Sequence, residues 1–165
     1  MQLLMPADAP VHFDGREQAH DLTLSHVKQA RKRICFFGTT LDSILYNHAD
    51  CLEAISAFAR RTYHAKAQFI VHNTQHALSQ GHGLIGLSQK LTSSIAIKAT
   101  DPQHRQLTQY FLLIDDIAYL FGQHVMRYLG HVSFEDVSET RHQQQLFEQI
   151  WSHGHRDLLT RRLAL

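Results

Sequence analysis

The sequence predicts an α/β protein whose mixed sheet, mostly parallel with an antiparallel hairpin, is sandwiched between helices. Short apolar runs rich in aromatic and β-branched residues recur along the chain, as buried strands do. Segments with apolar residues at helical spacing separate the first of these runs, so consecutive strands there have crossovers long enough to lie parallel. The later runs are joined by turns too short for a helix, which makes them antiparallel neighbours.

Each element follows from local pattern. In residues 15–33 the positions Ala19, Leu22, Leu24, Val27 and Ala30 recur at roughly helical spacing, with polar residues on the opposite face, the pattern of an amphipathic helix. The run RICFFG, Arg33–Gly38, is short, aromatic and closed by glycine, hence a buried strand that ends in a polar turn at residues 39–42. Leu52, Ala54, Ile55, Phe58 and Ala59 form a second helical face ending in Arg60 and Arg61, whose charges suit a helix C-terminus. Residues 67–73, AQFIVHN, form the next strand. In residues 74–91, Leu84, Leu87 and Leu91 keep helical spacing, but Gly81, Gly83 and Gly86 weaken the first half; a loop or broken helix is expected before one or two firm turns. Residues 94–99, SIAIKA, alternate as a third strand.

A polar loop with Pro102 leads into Tyr110–Ile114, and Asp115-Asp116 turns the chain into 117–121, a hairpin. One more strand is expected at 128–134. A closing helix over 137–151 carries Val137, Leu146, Phe147 and Ile150 on its apolar face, with Ser138 as its cap.

Composition narrows the function classes. A chain of 165 residues with 44% hydrophobic content builds one core, so residues 1–165 are expected to form a single domain. Lys and Arg number 16 against 15 Asp and Glu, and this balance provides no basic field for nucleic acid. Cys35 and Cys51 lie in apolar segments and read as buried free thiols of a reducing compartment. No apolar run approaches the ~20 residues of a membrane span, and the N-terminus has no basic leader before an apolar core. The expectation is a cytoplasmic protein without membrane contact.

The sharpest clue is residues 108–122, TQYFLLIDDIAYLFG. Its spacing resembles the motif of the phospholipase D superfamily: His, any residue, Lys, four residues, Asp, then six residues and Gly. With Asp115 and Gly122 in register, Thr108 stands at the histidine position, Tyr110 at the lysine position, and Gln123 where Ser or Thr is expected. The resemblance covers roughly residues 30–151 and includes the opening strand with its polar turn at 38–42, the FLLIDD strand and the closing LFEQIW segment. It implies a phospholipase D-like fold. The same resemblance implies chemistry that needs a nucleophilic His, a second His as acid and base, and a Lys to steady the phosphate charge. Thr and Tyr hydroxyls perform none of these roles. His104 stands four residues too early, a displacement of roughly 13 Å along an extended strand. Superfamily members need two motif copies, and this chain holds one.

Other constellations are weaker. His72 and His76 stand at i and i+4, with His82 beyond, but His72 closes a strand and no acidic residue completes a zinc motif. His153 and His155 read as surface histidines. Lys28, Arg31, Lys32, Arg33, Arg60 and Arg61 form two helix ends and not a converging phosphate site. Gly81, Gly83 and Gly86 lack the Lys and Ser or Thr of a phosphate loop.

The sequence therefore reads as a non-catalytic phospholipase D-like binding or regulatory domain of bacterial type. Asp42, Thr108, Tyr110, Asp115 and Gln123 line the vestigial ligand-binding cleft, with no catalytic residue, metal or cofactor. A homodimer is expected, with a protein partner or a small phosphorylated ligand and without nucleic acid. The alternatives are an enzyme acting on a phosphorylated or nucleotide substrate with a non-standard residue set, and a nucleic-acid-binding accessory protein. With no histidine to support, Asp115 is expected to accept backbone amides two residues further along its own turn.

Overall fold

A computed structural model describes residues 10–41, 48–75, 83–124 and 127–156. Its centre is β2 (Arg33–Gly38), buried at every position but the first. β3 (Lys66–Val71) pairs with β2 in parallel, and β4 (Ile95–Ala99) pairs in parallel with β3. On the other side β5 (Tyr110–Ile114) runs antiparallel to β2, followed by β6 (Ala118–Gly122), β7 (Leu129–Ser133) and β1 (Val11–Asp14), each antiparallel to its neighbour. The strand order of the seven-stranded sheet is β1-β7-β6-β5-β2-β3-β4. The sheet is mixed, as expected, but it is not mostly parallel: two of its six pairings are parallel and four antiparallel, because the chain after β4 returns beside β2 and continues through short turns and the edge strand β1.

Helices cover both faces. α1 (Arg16–Gln29), α2 (Ala49–Arg61) and α3 (Gly83–Lys90) pack Val27, Ile55, Phe58 and Leu84 onto Ile34, Phe36, Phe69, Leu112 and Leu120. α4 (Val137–His153) covers the opposite face, where Phe147 and Ile150 meet Cys35, Phe37, Phe111 and Leu113. Because β5 contributes Leu112 to one core and Phe111 and Leu113 to the other, its sequence YFLLI is apolar without alternation.

Four local expectations change. β1 is an additional strand: VHFD buries Phe13 alone, too little for a period-two signal, and pairing with β7 makes it a strand. α3 begins at Gly83 with Gly86 inside it; burial of Leu84 and Ile85 offsets the glycine cost. Residues 76–82 lie outside the described residues. Val137 is 41% exposed and is not part of the buried face of α4. The cap of that helix is Asp136, whose carboxylate accepts the Glu139 N–H at 3.0 Å, and not Ser138.

Among the described residues, no helix is long and apolar enough to cross a membrane.

Candidate functional site

The site region lies at the edge where β5 begins and β6 ends. Tyr110 pairs with Gly122 across these strands, and a Cβ on Gly122 would collide with the Tyr110 ring. The glycine is thus the space the phenol occupies. The ring is buried, and its hydroxyl donates to the Arg127 carbonyl at 3.0 Å. Tyr110 therefore ties the chain after β6 to the start of β5.

Beside it runs an open groove on the face that carries α4, of ≈ 990 Å³. Its polar lining comes from Thr108, Gln123, His124, Arg127, His12 and His131, and Phe121 and Leu129 form its apolar floor. No carboxylate lines it among the described residues. His12 and His131 face each other as a register pair of β1 and β7, with ring centroids 6.0 Å apart. Tyr119 Oη lies 3.0 Å from His131 Nδ1; when the hydroxyl donates, the ring proton sits on Nε2. Burial, reinforced by His12, pushes the pKa of His131 below its ordinary value, although Glu139 opposes the shift. Near neutral pH the imidazole is uncharged, able to donate a hydrogen bond or to take up a proton.

Asp115 stands apart, at the opposite end of β5. Its Oδ2 accepts the Arg31 N–H, and its Oδ1 accepts those of Lys32 and Arg33, all at 2.8 Å. The donors are not amides two residues along the turn, as the local pattern suggested, but come from the connection between α1 and β2. Asp115 and Asp116 have φ of 55° and 64°, the left-handed backbone that primed hairpin turns require and that Asp tolerates.

The structure thus brings Thr108 and Gln123 into one groove, sets Tyr110 behind its edge, and places Asp115 away from it. Asp42 lies outside the described residues. Four polar groove residues escaped the sequence reading: His12, His124, Arg127 and His131. His12 depends on the unrecognised β1, and only strand pairing places it beside His131, so the remaining signal was the count of 14 histidines.

The other candidates have ordinary structural roles. His72 lies 2.7 Å from Thr100 Oγ1 and 2.8 Å from the Leu107 carbonyl; His76 and His82 lie outside the described residues. His104 sits in a 3-10 turn, Pro102–His104, with Nδ1 2.6 Å from Asp101 Oδ1. Arg33 is bound to Glu148, and Arg61 donates to the Ala30 carbonyl at 2.9 Å. Both cysteines are free and buried, and burial pushes their thiols up to about 12, out of nucleophilic range.

A family model described as a domain of unknown function (DUF7931) matches residues 15–163. Among solved structures, NucT from Helicobacter pylori superposes with a TM-score of 0.66 at 14% identity, covering 90% of this chain and 99% of that one. Nuc from Salmonella typhimurium, a phospholipase D family member, does so with 0.63 at 13% identity, covering 90% and 100%. TrmBL2, an archaeal chromatin protein described as showing a novel mode of DNA binding, gives 0.63 at 12% identity; the match covers 95% of this chain and 57% of that one. No curated protein sequence matches the chain. The fold is phospholipase D-like, and at these identities the likeness is one of fold.

Proposed function

We propose that this chain, which belongs to the DUF7931 family, is a non-catalytic phospholipase D-like domain whose groove holds an anionic, phosphorylated ligand. The carrying observation is the donor set of that groove: Arg127, Thr108, Gln123 and the histidines supply hydrogen-bond donors, with no carboxylate among the described lining residues. Such a surface suits phosphate oxygens, which only accept. Turnover by phospho-histidine chemistry is not part of the reading, because Thr108 and Tyr110 stand at the motif positions and the Tyr110 hydroxyl is committed to the Arg127 carbonyl.

A second reading, an enzyme with a non-standard residue set, draws support from the His12–His131 pair and the Tyr119 hydroxyl beside it. One experiment separates the two. Calorimetric titration with inorganic phosphate and with 5′-AMP should show saturable binding that weakens about tenfold on Arg127→Ala, the cost of one charge-assisted contact. Hydrolysis of bis-p-nitrophenyl phosphate should stay at background. Absence of phosphate binding removes the ligand reading, and hydrolysis abolished by His131→Ala replaces it with the enzyme. If a second copy of the chain covers the groove, the pairing expected from the sequence, light scattering will show a doubled mass.

The DNA binding ascribed to TrmBL2 is not extended to this chain, since Arg33 and Arg61 are already engaged within it.

A further inference from the structure

On the opposite side of the molecule from the α4 face, three side chains distant in sequence converge where α2 begins against α1. His20 projects from α1, His48 is the residue preceding α2, and Asp50 belongs to the first turn of α2. His20 Nε2 lies 3.2 Å from Asp50 Oδ1, and His48 Nδ1 lies 2.7 Å from the same oxygen. One ligand atom from each residue lies within 4.8 Å of the other two, and the two imidazole rings lie 4.5 Å apart, tilted by 47°. His20 is mostly buried, whereas His48 and Asp50 remain open to solvent on one side.

We infer that His20, His48 and Asp50 bind one divalent transition-metal ion of the Zn²⁺ class. Two imidazole nitrogens and one carboxylate oxygen are a sufficient protein donor set for such an ion, with the remaining position left to water. The spacing is near what the ion needs. Ligand atoms about 2.1 Å from a tetrahedral ion stand about 3.4 Å from one another; the His20–Asp50 contact already has that separation, and the His48–Asp50 contact has to open by about 0.7 Å.

A hydrogen-bonded trio is the competing explanation, and titration with Zn²⁺ separates the two. Both imidazoles crowd Asp50 Oδ1, at 3.2 and 2.7 Å, while the hydrogen bond of good geometry is the longer one from His20 Nε2 to Oδ2 at 3.4 Å. Two nitrogens that converge on one carboxylate oxygen, one at 2.7 Å, can instead share a cation with it once the shorter contact opens. The packing of α1 against α2 holds the ligands together. Since His20 and Asp50 belong to different elements 30 residues apart, no local spacing announces the site.

The test uses the full chain without a polyhistidine tag, stripped with a chelator and titrated with Zn²⁺ against a chromophoric competitor and with Co²⁺ by visible absorption. One equivalent should bind, Co²⁺ should show the absorption of a low-coordinate nitrogen and oxygen site, and Zn²⁺ should raise the melting temperature. Asp50→Asn and His48→Ala, both at solvent-exposed positions, should weaken binding at least tenfold. The control substitutions His64→Ala and His142→Ala should leave it unchanged. Circular dichroism checks that each variant is folded. Binding that survives Asp50→Asn and His48→Ala, or that falls as much in the controls, is adventitious capture by a histidine-rich chain and overturns the site, as does absence of stoichiometric binding.

Discussion

Asp115 gathers three backbone amides, those of Arg31, Lys32 and Arg33, and in doing so fastens the α1–β2 connection to the hairpin between β5 and β6. Hydrogen bonds to a charged acceptor contribute about 1.5–3 kcal/mol each, and the amides regain part of this from water when the acceptor is removed. Asp115→Ala should therefore lose on the order of 3 kcal/mol, including the strain of alanine at positive φ. For a chain of this size that is a melting-temperature drop of roughly 6–12 °C. Asp115→Asn tolerates the same backbone and keeps one acceptor oxygen, so it should fall between the two. Thermal unfolding of the three proteins checks the order, and an alanine variant that melts with the parent would show that the grip contributes nothing. Tyr110 and Gly122 work at the same scale, the ring occupying the space that the missing Cβ leaves.

The start of α4 is a test at the scale of an element. Asp136 accepts the Glu139 N–H and, as an anion at the N-terminus, also faces the positive end of the helix dipole. α4 is the helix that packs Phe147 and Ile150 over its face of the sheet, so fraying at its first turn is felt in that core. Asp136→Ala should cost about 1 kcal/mol in urea unfolding, whereas Ser138→Ala, one residue inside the helix, should change stability by less than about 0.5 kcal/mol. The opposite ranking would return the cap to Ser138. Strand pairing is decided at this scale as well. β1 has one buried residue, and its backbone bonds to β7, with the Gly15 N–H reaching the Tyr128 carbonyl at 2.6 Å, hold it in the sheet.

For the whole molecule, the sheet and α1 meet at His26, which is fully buried. Its Nδ1 lies 2.9 Å from the Leu22 carbonyl, and its Nε2 lies 3.0 Å from the Tyr119 carbonyl and 3.4 Å from that of Ser133. Burial pushes its pKa below the ordinary 6.5, and the carbonyl contacts only partly restore it. The sign follows from linkage. Below about pH 6.5 the unfolded chain takes up a proton at this position that the native state resists, so stability is full above that pH and declines as the solution is acidified. His131, also held low by burial, acts in the same direction. Urea midpoints measured from pH 8 to pH 5 should fall, and His26→Gln should flatten the decline while lowering overall stability. A parent midpoint that rises toward pH 5 would contradict the assignment.

The class of the fold and most of the strands are legible in the sequence. RICFFG, YFLLI and the short Asp115-Asp116 connection were legible because burial on both faces and tight turns leave local marks, namely apolar runs without alternation and residues that accept positive φ. The spacing of Asp115 and Gly122, with Thr108 and Tyr110 before them, could be read in the same way. Which of those residues share a site depends on how the strands and helices pack. Thr108 and Gln123 line one groove from just beyond the paired ends of β5 and β6, Asp115 is carried to the far end of β5, His12 joins His131 through an edge strand too short to recognise, and His20 meets Asp50 through helix packing. Local structure follows the periodicity of one segment, but a site is made by side chains from several segments. Their meeting depends on strand order and helix placement, which the whole core fixes at once.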